Sequence, residues 1–414
     1  MKIAVQTSLP AFQNDIGDVV RLFYGEGAAV EETQQADARL THIHEESNGE
    51  WRETFVLTDC SGRAERSTLS APTVSGGLEE KRQKKRLIKR CCYMLFKRLS
   101  GRQPAWGSLT GIRPTRLYYQ QLENGKTRGE ARRTLQDLFD LSQEKIDLLD
   151  EILDAQQGLM DRRSRACDVY IGIPFCTTRC AYCSFSSGEI GDGRLVEPYL
   201  AALLHEIEAC AEMAREMGLH IRVGYIGGGT PSSLTTPQLD RLLAHVERHF
   251  GALAEFTVEA GRPDTLDAQK LRMLRDYPVT RISINPQTMN DATLTRIGRA
   301  HTAKQTVEAY ELARSIGFDD INMDVIAALP GEDYAMFAHT LAEIRRLRPE
   351  SLTVHTLAIK RSSRLHEEKY AQAEQDVARM VALGRQTAHD MGMRAYYLYR
   401  QKYMAENLEN VSEL

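Results

Sequence analysis

Regular alternation of short apolar strands with amphipathic helices dominates the chain after residue 168. Six segments rich in Val and Ile, each followed by a polar or Gly/Pro turn, lie at 168–173, 221–226, 255–260, 280–285, 320–326 and 351–357. Helical patterns lie between them at 195–217, 237–250, 264–276, 302–316 and 334–347. Because βα units require parallel strands with covering helices, the alternation predicts an α/β fold, either an incomplete (β/α) barrel or a doubly wound sheet. In both architectures the functional residues lie at the carboxyl ends of the strands.

The chain has 414 residues, which is long enough for two or three domains. Before residue 165 the pattern changes: an alternating strand is predicted at 52–58, and helices are predicted at 79–99, 128–139 and 142–160. A polar linker at 161–165 marks the boundary. We therefore predict three parts. They are an N-terminal α+β domain with a basic helix at 1–165, a core barrel at 166–360, and a helical C-terminal extension at 361–414 that we expect to be truncated.

Charge and hydropathy exclude several classes of protein. The formal charge of −4 excludes a globally polybasic protein, although residues 79–102 hold ten Lys and Arg. This local basic face is interpreted as a solvated helix surface, with docking of an acidic electron donor and RNA binding as alternatives. No apolar run approaches the roughly 20 residues of a membrane span, and the N-terminus lacks a secretory pattern. We expect a cytoplasmic protein with neither a membrane nor a nucleic-acid partner.

Three of the eight cysteines lie on one loop after the first of the six strands. Cys176, Cys180 and Cys183 have the spacing C-x3-C-x2-C. In a cytosolic chain such thiols stay reduced, so their clustering indicates a metal site. Three thiolates can hold three irons of a [4Fe–4S] cluster and leave the fourth iron open for chemistry. A zinc knot, which would need a fourth nearby ligand, and a chance cluster of core cysteines are the alternatives.

This loop and the motifs that accompany it resemble those of radical S-adenosylmethionine (SAM) enzymes. Tyr170, Pro174-Phe175 and the segment Gly298–His301 are similar to the oxygen-independent coproporphyrinogen III oxidase (coproporphyrinogen dehydrogenase) family. The segments 106–116 and 396–402 resemble its HemZ-type branch. The resemblance implies an incomplete (β/α)6-type radical SAM barrel preceded by a smaller α+β domain, with a [4Fe–4S] cluster and SAM as cofactors.

The resemblance also assigns site residues. The cluster ligands are Cys176, Cys180 and Cys183, and Tyr170 is assigned both a catalytic and a cofactor-binding role. The remaining SAM-binding residues are Gly228, Gly229, Thr230, Glu259, Gln287, Arg299, Asp324 and Ala358. The chemistry suits these roles, since glycines allow close backbone approach and an Arg can pair with the carboxylate of SAM. Two segments, Gly261-Arg262 and Asn285-Pro286, depart from the pattern of the family.

The implied activity is that of a radical SAM oxidoreductase in porphyrin and haem biosynthesis. A 5′-deoxyadenosyl radical takes hydrogen from a propionate β-carbon of coproporphyrinogen III, and loss of CO2 leaves a vinyl group. The implied partners are the tetrapyrrole substrate and a flavodoxin- or ferredoxin-like electron donor. Arg113, Arg116 and Arg179 are candidates for pairing with the substrate carboxylates.

Two alternative functions stay open at this point. The family's dehydrogenases carry a fourth cysteine two residues after the third, whereas Ser184-Phe185 follows Cys183 here, as in the related haem chaperones. A haem-binding chaperone without dehydrogenase activity is therefore the first alternative. The second is a radical SAM enzyme that acts on nucleic acid or another substrate, with the basic helix as an RNA-binding arm.

Overall fold

A computed structural model of the protein describes residues 1–25, 27–30, 35–111, 113–159, 165–368, 370, 376–401 and 404–414. The chain forms two compact units. The first consists of Met1–Leu153 and Tyr399–Leu408, and the second of Asp154–Leu398 and Glu409–Leu414. Most of the predicted linker, residues 161–164, lies outside the described residues. The division into three domains stays a prediction.

The first unit is built from a sheet and helices that follow one another along the chain. Its strands are β1 (Ile3–Thr7), β2 (Ala29–Val30), β3 (Ala38–Ser47), β4 (Glu50–Asp59) and β5 (Ala64–Pro72). The helices of this part of the chain are α1 (Gln13–Tyr24), α2 (Gly77–Ser100), α3 (Pro114–Glu123), α4 (Arg128–Phe139) and α5 (Gln143–Ala155). The strand predicted at 52–58 and all three predicted helices are present.

The described part of the first unit has a five-stranded sheet in the order β2-β1-β3-β4-β5, with α1 and α2 packed on it. β1 is parallel to β2 and β3, whereas β3, β4 and β5 form an antiparallel meander. Apolar side chains of α2, including Ile88, Leu95 and Phe96, are fully buried against Ile3 and Phe55 of the sheet. The apolar face predicted for the basic helix therefore forms part of the core.

The two segments predicted to mark the HemZ-type branch meet inside the first unit. The Arg400 guanidinium lies over the Trp106 ring, 5.0 Å from its centroid. It donates to the carbonyl oxygens of Leu109 (2.7 Å), Gly111 (3.2 Å) and Asn407 (2.9 Å). A charged side chain with only 3% exposure needs such partners, because a buried cation without acceptors is costly. Arg400 therefore ties residues 399–408 to the segment that begins at Trp106.

The second unit alternates strands and helices. Its strands are β6 (Ala166–Ile173), β7 (Phe175–Cys176), β8 (Gly188–Glu189), β9 (His220–Gly228), β10 (Glu255–Glu259), β11 (Arg281–Ser283), β12 (Ile321–Ala327), β13 (Ser351–Thr356), β14 (Ala395–Tyr399) and β15 (Asn410–Glu413). Its helices are α6 (Val196–Glu216), α7 (Thr236–Phe250), α8 (Ala268–Arg275), α9 (Asp291–Arg296), α10 (Ala303–Ile316), α11 (Tyr334–Leu347), α12 (Arg364–Glu367) and α13 (Val377–Asp390).

Among the described residues, the main sheet of this unit has eight strands in the order β14-β15-β13-β12-β11-β10-β9-β6. The six strands from β6 to β13 in this sheet are parallel and pair in chain order. They correspond to the six predicted strands, and the predicted α/β half-barrel of parallel strands is confirmed. No helix within the described ranges combines the length and hydropathy that crossing a membrane requires.

The sheet also contains two strands that the sequence patterns did not predict. The segment after residue 361, predicted to be helical, holds α13 but also β14 and β15. β15 is antiparallel to β13, with Leu352 opposite Glu413 and Val354 opposite Val411. The prediction of a purely helical extension is therefore incomplete, because a polar strand such as Asn410–Glu413 lacks the apolar pattern that reveals a strand.

Candidate active site

The carboxyl ends of the parallel strands bring most of the predicted site residues to one edge of the sheet. Ile173 at the end of β6 lies opposite Gly228 at the end of β9. Glu259 ends β10, and Gln287 follows β11 and bridges to Val325 of β12. Parallel pairing in chain order places these ends side by side, because the strands run in the same direction. The predicted SAM residues of β9 to β12 thus share the edge that carries the cysteine loop.

The cysteine loop begins at β7 and is held by polar contacts around Cys176. Its Sγ lies 3.5 Å from Thr230 Oγ1 and 3.8 Å from Ser187 Oγ. All three loop cysteines are half-buried and free. Burial raises the pKa of the Cys183 thiol, and charges on Cys180 and Cys176 raise it further. The charges of Cys176 and Cys180 thus act on Cys183, and the three thiols lie on one loop.

The glycine triplet after β9 lies directly against the start of the cysteine loop. The Gly229 amide donates to Ile173 O (2.7 Å), and the Thr230 amide donates to Phe175 O (2.7 Å). A Cβ on Gly229 would lie 2.6 Å from Phe175 O and 3.0 Å from Cys176 Sγ. Gly228 has a φ of +111°, a backbone conformation that residues with a side chain rarely adopt. The backbone itself therefore forms the wall of the site here.

Two tyrosines and a glutamate line the ends of β6, β9 and β10. The Tyr225 hydroxyl donates to Glu259 Oε1 at 2.6 Å. The Tyr170 ring, 62% exposed, stacks on the Tyr225 ring with 5.6 Å between centroids. Burial raises the pKa of Glu259 to about 7, and the nearby charge of Asp324 adds to this, although the bond from Tyr225 opposes it. The site thus holds a carboxyl group that changes its charge near neutral pH.

Gln287 and Asp324 are fixed relative to each other by the backbone. The Gln287 amide donates to Asp324 O at 3.0 Å, and Gln287 has a φ of +66°, which is uncommon for a residue with a side chain. The Asp324 carboxylate accepts from Asn322 Nδ2 (2.8 Å) and lies 3.5 Å from His355 Nε2. Burial opposes ionisation of Asp324, but interactions with His355, Asn322 and Thr353 together outweigh it and hold the pKa of Asp324 below its usual value. Asp324 is therefore an anion at the strand ends.

Arg299 reaches from the segment after α9 to the cysteine loop. Its guanidinium donates to the Tyr182 hydroxyl (3.2 Å) and to Gly261 O (3.2 Å). Tyr182 lies between Cys180 and Cys183 in sequence, and burial raises its pKa to well above the ordinary value. Arg299 thus places a positive charge beside the loop that carries the thiols, where it can pair with an anionic ligand group.

Arg262, one of the departures from the family pattern, is a buried contact of the cysteine loop. With 3% exposure, it donates to Thr178 O (3.0 Å) and Thr178 Oγ1 (2.8 Å). Its Nε also donates to Asp264 Oδ1 at 3.2 Å. Burial of Asp264 is outweighed by its interactions with the neighbouring His301 and Arg262 side chains, which hold its pKa well below the ordinary range. The sequence patterns identified Arg262 only as a variation and assigned it no function.

The other predicted residues have more varied surroundings. Thr230 is 3% exposed and contacts Cys176, whereas Ala358 lies two residues beyond the end of β13. Arg179 is exposed and donates to Ser362 O at 2.6 Å. Arg116, in the first unit, pairs with Glu123 at 3.0 Å, and Arg113 precedes α3 in that unit. Arg113 and Arg116 thus belong to the first unit and the strand ends to the second, and the substrate role of these two arginines stays a prediction.

Sequence reasoning also missed Tyr225 and Tyr182. Tyr225 faces the site because successive side chains of β9 point to opposite faces of the sheet. The sequence alone does not fix the register of β9, and a shift of one residue would put Tyr225 on the other face. Tyr182 lies within the C-x2-C spacing, where only the cysteines draw attention. Their roles depend on Glu259 and Arg299, which are distant in sequence.

Comparison with known proteins identifies the family that this site belongs to. Residues 170–344, which include the cysteine loop and the ends of the first five parallel strands, match a sequence model of the radical SAM superfamily. Residues 170–344 form a radical SAM domain. Enzymes of this superfamily use a [4Fe–4S] cluster and SAM, and they require an electron donor and a substrate. The predicted family and the predicted cofactors are confirmed.

Relatives within the superfamily include both an oxidase-like protein and haem chaperones. The oxygen-independent coproporphyrinogen-III oxidase-like protein HemZ of Bacillus subtilis is 43% identical over 316 residues, which cover 74% of this chain and 63% of HemZ. The heme chaperone HemW of Bacillus subtilis is 37% identical over 193 residues, or 46% of this chain and 50% of HemW. The structure of coproporphyrinogen III oxidase (HemN) from Escherichia coli, a radical SAM enzyme, matches with a TM-score of 0.51 and 26% identity over 58% of this chain and 56% of HemN. This chain thus spans about half to two thirds of the length of these proteins.

The residues of this radical SAM site fit the two cofactors. Three free thiols lie on one loop, and the glycine triplet packs directly against the start of that loop, where a Cβ on Gly229 would collide with Phe175 O. Three buried polar atoms at the same edge, Asn285 Oδ1, Gln287 Oε1 and Arg299 Nε, have no hydrogen-bond partner in the described part of the chain. Because buried polar atoms normally have partners, these atoms favour a polar ligand. The assignment of individual residues to SAM stays a prediction.

Proposed function

We propose that this chain catalyses the oxygen-independent oxidative decarboxylation of coproporphyrinogen III to protoporphyrinogen IX. The observation that carries the proposal is the 43% identity to the oxidase-like protein HemZ, which extends over 74% of the chain. This similarity reaches well beyond the 46% of the chain that is similar to HemW. The reaction belongs to porphyrin and haem biosynthesis.

The proposed roles follow from the geometry of the strand ends. The thiolates of Cys176, Cys180 and Cys183 would hold three irons of the cluster, and Gly228 and Gly229 would admit SAM close to the backbone. When bound, the cofactors would supply the 5′-deoxyadenosyl radical that removes hydrogen from a propionate β-carbon, after which CO2 and one electron leave and a vinyl group forms. The protein would orient the reactants and exclude water.

Charged residues would position the cofactor and the substrate. Arg299 would pair with the SAM carboxylate, while Gln287, Glu259 and Asp324 would accept or donate hydrogen bonds to its other polar groups. Thr230 and the backbone at Ala358 complete the proposed SAM site. Tyr170, whose exposed ring stacks on Tyr225, would contact the cofactor and the reacting groups. The four substrate carboxylates would need basic residues, and Arg179 is the candidate within the cysteine loop.

The test is an anaerobic incubation of the reconstituted chain with SAM, a chemical reductant and coproporphyrinogen III. Mass analysis of the tetrapyrrole should show conversion of propionates to vinyl groups, and 5′-deoxyadenosine should form with it. A Cys176→Ala variant should form neither product. A Cys210→Ala variant is the matched control, because Cys210 is a free, exposed cysteine on α6 and should not affect turnover. A flavodoxin- or ferredoxin-like protein, the proposed natural donor, should replace the chemical reductant.

One observation favours a second function, that of a haem chaperone. Ser184-Phe185 follows Cys183 where the family's dehydrogenases have a further cysteine, and the Phe185 side chain is 69% exposed. Stoichiometric haem binding without vinyl product would support this function. Formation of 5′-deoxyadenosine without a change in the tetrapyrrole would instead favour another substrate.

A further inference from the structure

A second cluster of metal-ligating side chains lies on the outer helices of the second unit. His245 and His249 are one turn apart on α7, and Glu208 reaches them from α6. The α6 and α7 helices pack against each other, so the cluster joins two elements of the helical layer. It contains none of the residues assigned to the cysteine loop or to the strand ends.

The side chains converge closely. His245 Nε2 lies 3.2 Å and His249 Nε2 lies 3.8 Å from the same atom, Glu208 Oε1. The two imidazole rings are 4.4 Å apart between centroids. One potential ligand atom from each residue lies within 4.8 Å of the others. Residues at i and i+4 on a helix present their side chains on one face, so α7 sets the spacing of the two imidazoles.

These distances suit a tetrahedral ion. With zinc–ligand bonds of about 2.0–2.2 Å, neighbouring ligand atoms lie about 3.3–3.5 Å apart. The observed separations of 3.2 and 3.8 Å to Glu208 bracket that range. His249 Nε2 is buried and has no hydrogen-bond partner among the described residues. A hydrogen bond to Glu208 would need a shorter contact than 3.8 Å, whereas a metal ion between the two atoms would bind both.

We propose that Glu208, His245 and His249 form a zinc site that clips α6 to α7. Imidazole nitrogens and a carboxylate are ligands that zinc accepts, and two histidines with one glutamate leave the fourth position for a further ligand. His205, one turn before Glu208, lies with Nδ1 4.0 Å from Glu208 Oε2 and is the protein candidate for that position. Zinc would replace the hydrogen bond of 3.0 Å that His245 Nε2 makes to Leu204 O. The site is independent of the proposed reaction.

The test measures the affinity for Zn2+ by competition with a chromophoric chelator in the full chain with its [4Fe–4S] cluster loaded. The Cys176, Cys180 and Cys183 triple Ala variant serves as a second background, because the loop thiols also bind zinc. Both backgrounds should bind Zn2+ at one shared site. His249→Ala and His245→Ala should each weaken this binding by more than about tenfold, since even loss of an outer-shell partner costs 10–100-fold. Glu247→Gln, an exposed acid on the same helix, is the matched control and should bind as the parent does.

Two further readouts separate a metal site from a structural ion pair. Co2+ bound to the triple Ala variant should show the visible bands of a four-coordinate ion without a sulfur-to-cobalt charge-transfer band. Zn2+ should raise the unfolding temperature of the parent but not that of His249→Gln. Without metal, the two proteins should have the same unfolding temperature. Unchanged zinc affinity in His245→Ala and His249→Ala would overturn the proposal, as would a cobalt spectrum with thiolate ligands. His205→Ala decides the fourth ligand: weaker binding assigns it to His205, and unchanged binding assigns it to water.

Discussion

Arg262 connects the cysteine loop to a buried carboxylate. Its guanidinium is shared between Thr178 and Asp264, and the Asp264 carboxylate also lies 3.5 Å from His301 Nδ1. Thr178 Oγ1 in turn donates to Gly298 O at 2.9 Å. The loop is therefore anchored from outside by a charge network, and its shape does not depend on the metal ligands alone.

We predict that Arg262→Ala lowers the free energy of unfolding of the second unit by about 2–3 kcal/mol, because it leaves Asp264 without its main cation. The looser loop should also retain fewer irons after reconstitution. The stability and iron content of Arg262→Lys should lie between those of the parent and of Arg262→Ala, since an ammonium cannot make the same forked contacts. Urea unfolding and iron analysis measure both effects, with exposed Arg272→Ala as the control. A variant with full iron content and parental stability would contradict the anchoring role.

Gly229 tests the close backbone approach at the same loop. A Cβ there would lie within 2.6 Å of Phe175 O, a backbone atom that cannot move aside cheaply. We predict that Gly229→Ala reduces cluster incorporation at least about tenfold while the helical content stays the same. Gly188→Ala is the matched control, because it lies on β8 of the same loop with nothing within 4 Å of its Cβ position. Equal iron content in the two variants would disprove this prediction.

The carboxyl group of Glu259 makes stability depend on pH. Its pKa is about 7 in the folded protein against an ordinary value of 4.5. The folded state therefore holds a proton more tightly than the unfolded state does. The resulting stabilisation is fully present below about pH 4.5 and is lost as the pH rises to about 7, by at most about 3 kcal/mol.

Glu259→Gln should remove this component. We predict that the stability of the parent minus that of the variant falls between pH 4.5 and 7, measured by urea unfolding at several pH values. Tyr225→Phe should shift the fall to higher pH, since the hydrogen bond from Tyr225 lowers the pKa of Glu259. A difference that does not change with pH would show that Glu259 titrates normally.

At the scale of elements, the basic face of α2 is largely paired within the first unit. Lys85 and Lys89 contact Asp15 of α1 at 2.6 and 3.2 Å, and Lys97 contacts Asp140 at 2.6 Å. Lys84 lies over the Trp51 ring, 4.8 Å from its centroid. These contacts favour the interpretation of α2 as a structural helix and reduce the charge available to phosphates.

We therefore predict no submicromolar RNA binding at moderate salt. Fluorescence anisotropy with a labelled single-stranded RNA at several salt concentrations tests this. A tight complex whose affinity falls steeply with salt would indicate several phosphate contacts and would restore the alternative of an RNA-binding arm.

The six parallel strands could be predicted because each is a short run rich in Val and Ile that alternates with an amphipathic helix, whereas β15 could not. Its residues Asn410, Ser412 and Glu413 are buried but polar. They are accommodated by partners remote in sequence, such as the Thr356 amide, which donates to Asn410 Oδ1 at 2.7 Å. The cysteine and glycine motifs could be predicted because the residues of each motif lie close together in the sequence. The network around Arg262 depends on residues up to 120 positions apart and therefore has no local signal in the sequence.

At the scale of the whole molecule, Arg400 holds the two sequence segments of the first unit together. We predict that Arg400→Ala destabilises this unit by about 2–4 kcal/mol, because three carbonyl oxygens lose their donor and the Trp106 ring loses its cover. Tryptophan fluorescence during urea unfolding reports this change. Arg394→Ala, an exposed residue outside the first unit, is the control. An unchanged midpoint in the Arg400 variant would disprove the tie.

The first unit is discontinuous, and this affects the order in which a ribosome can complete it. Its last piece, Tyr399–Leu408, follows the 245 residues from 154 to 398. At about 5–20 residues per second, this stretch takes about 12–50 s to synthesise. During that interval the residues of the sheet and helices of the first unit have been synthesised, but the Trp106 ring lacks its contact with the guanidinium of Arg400. The nascent chain thus exposes an aromatic surface that is covered in the complete protein, and chaperones that bind unfolded segments could bind there.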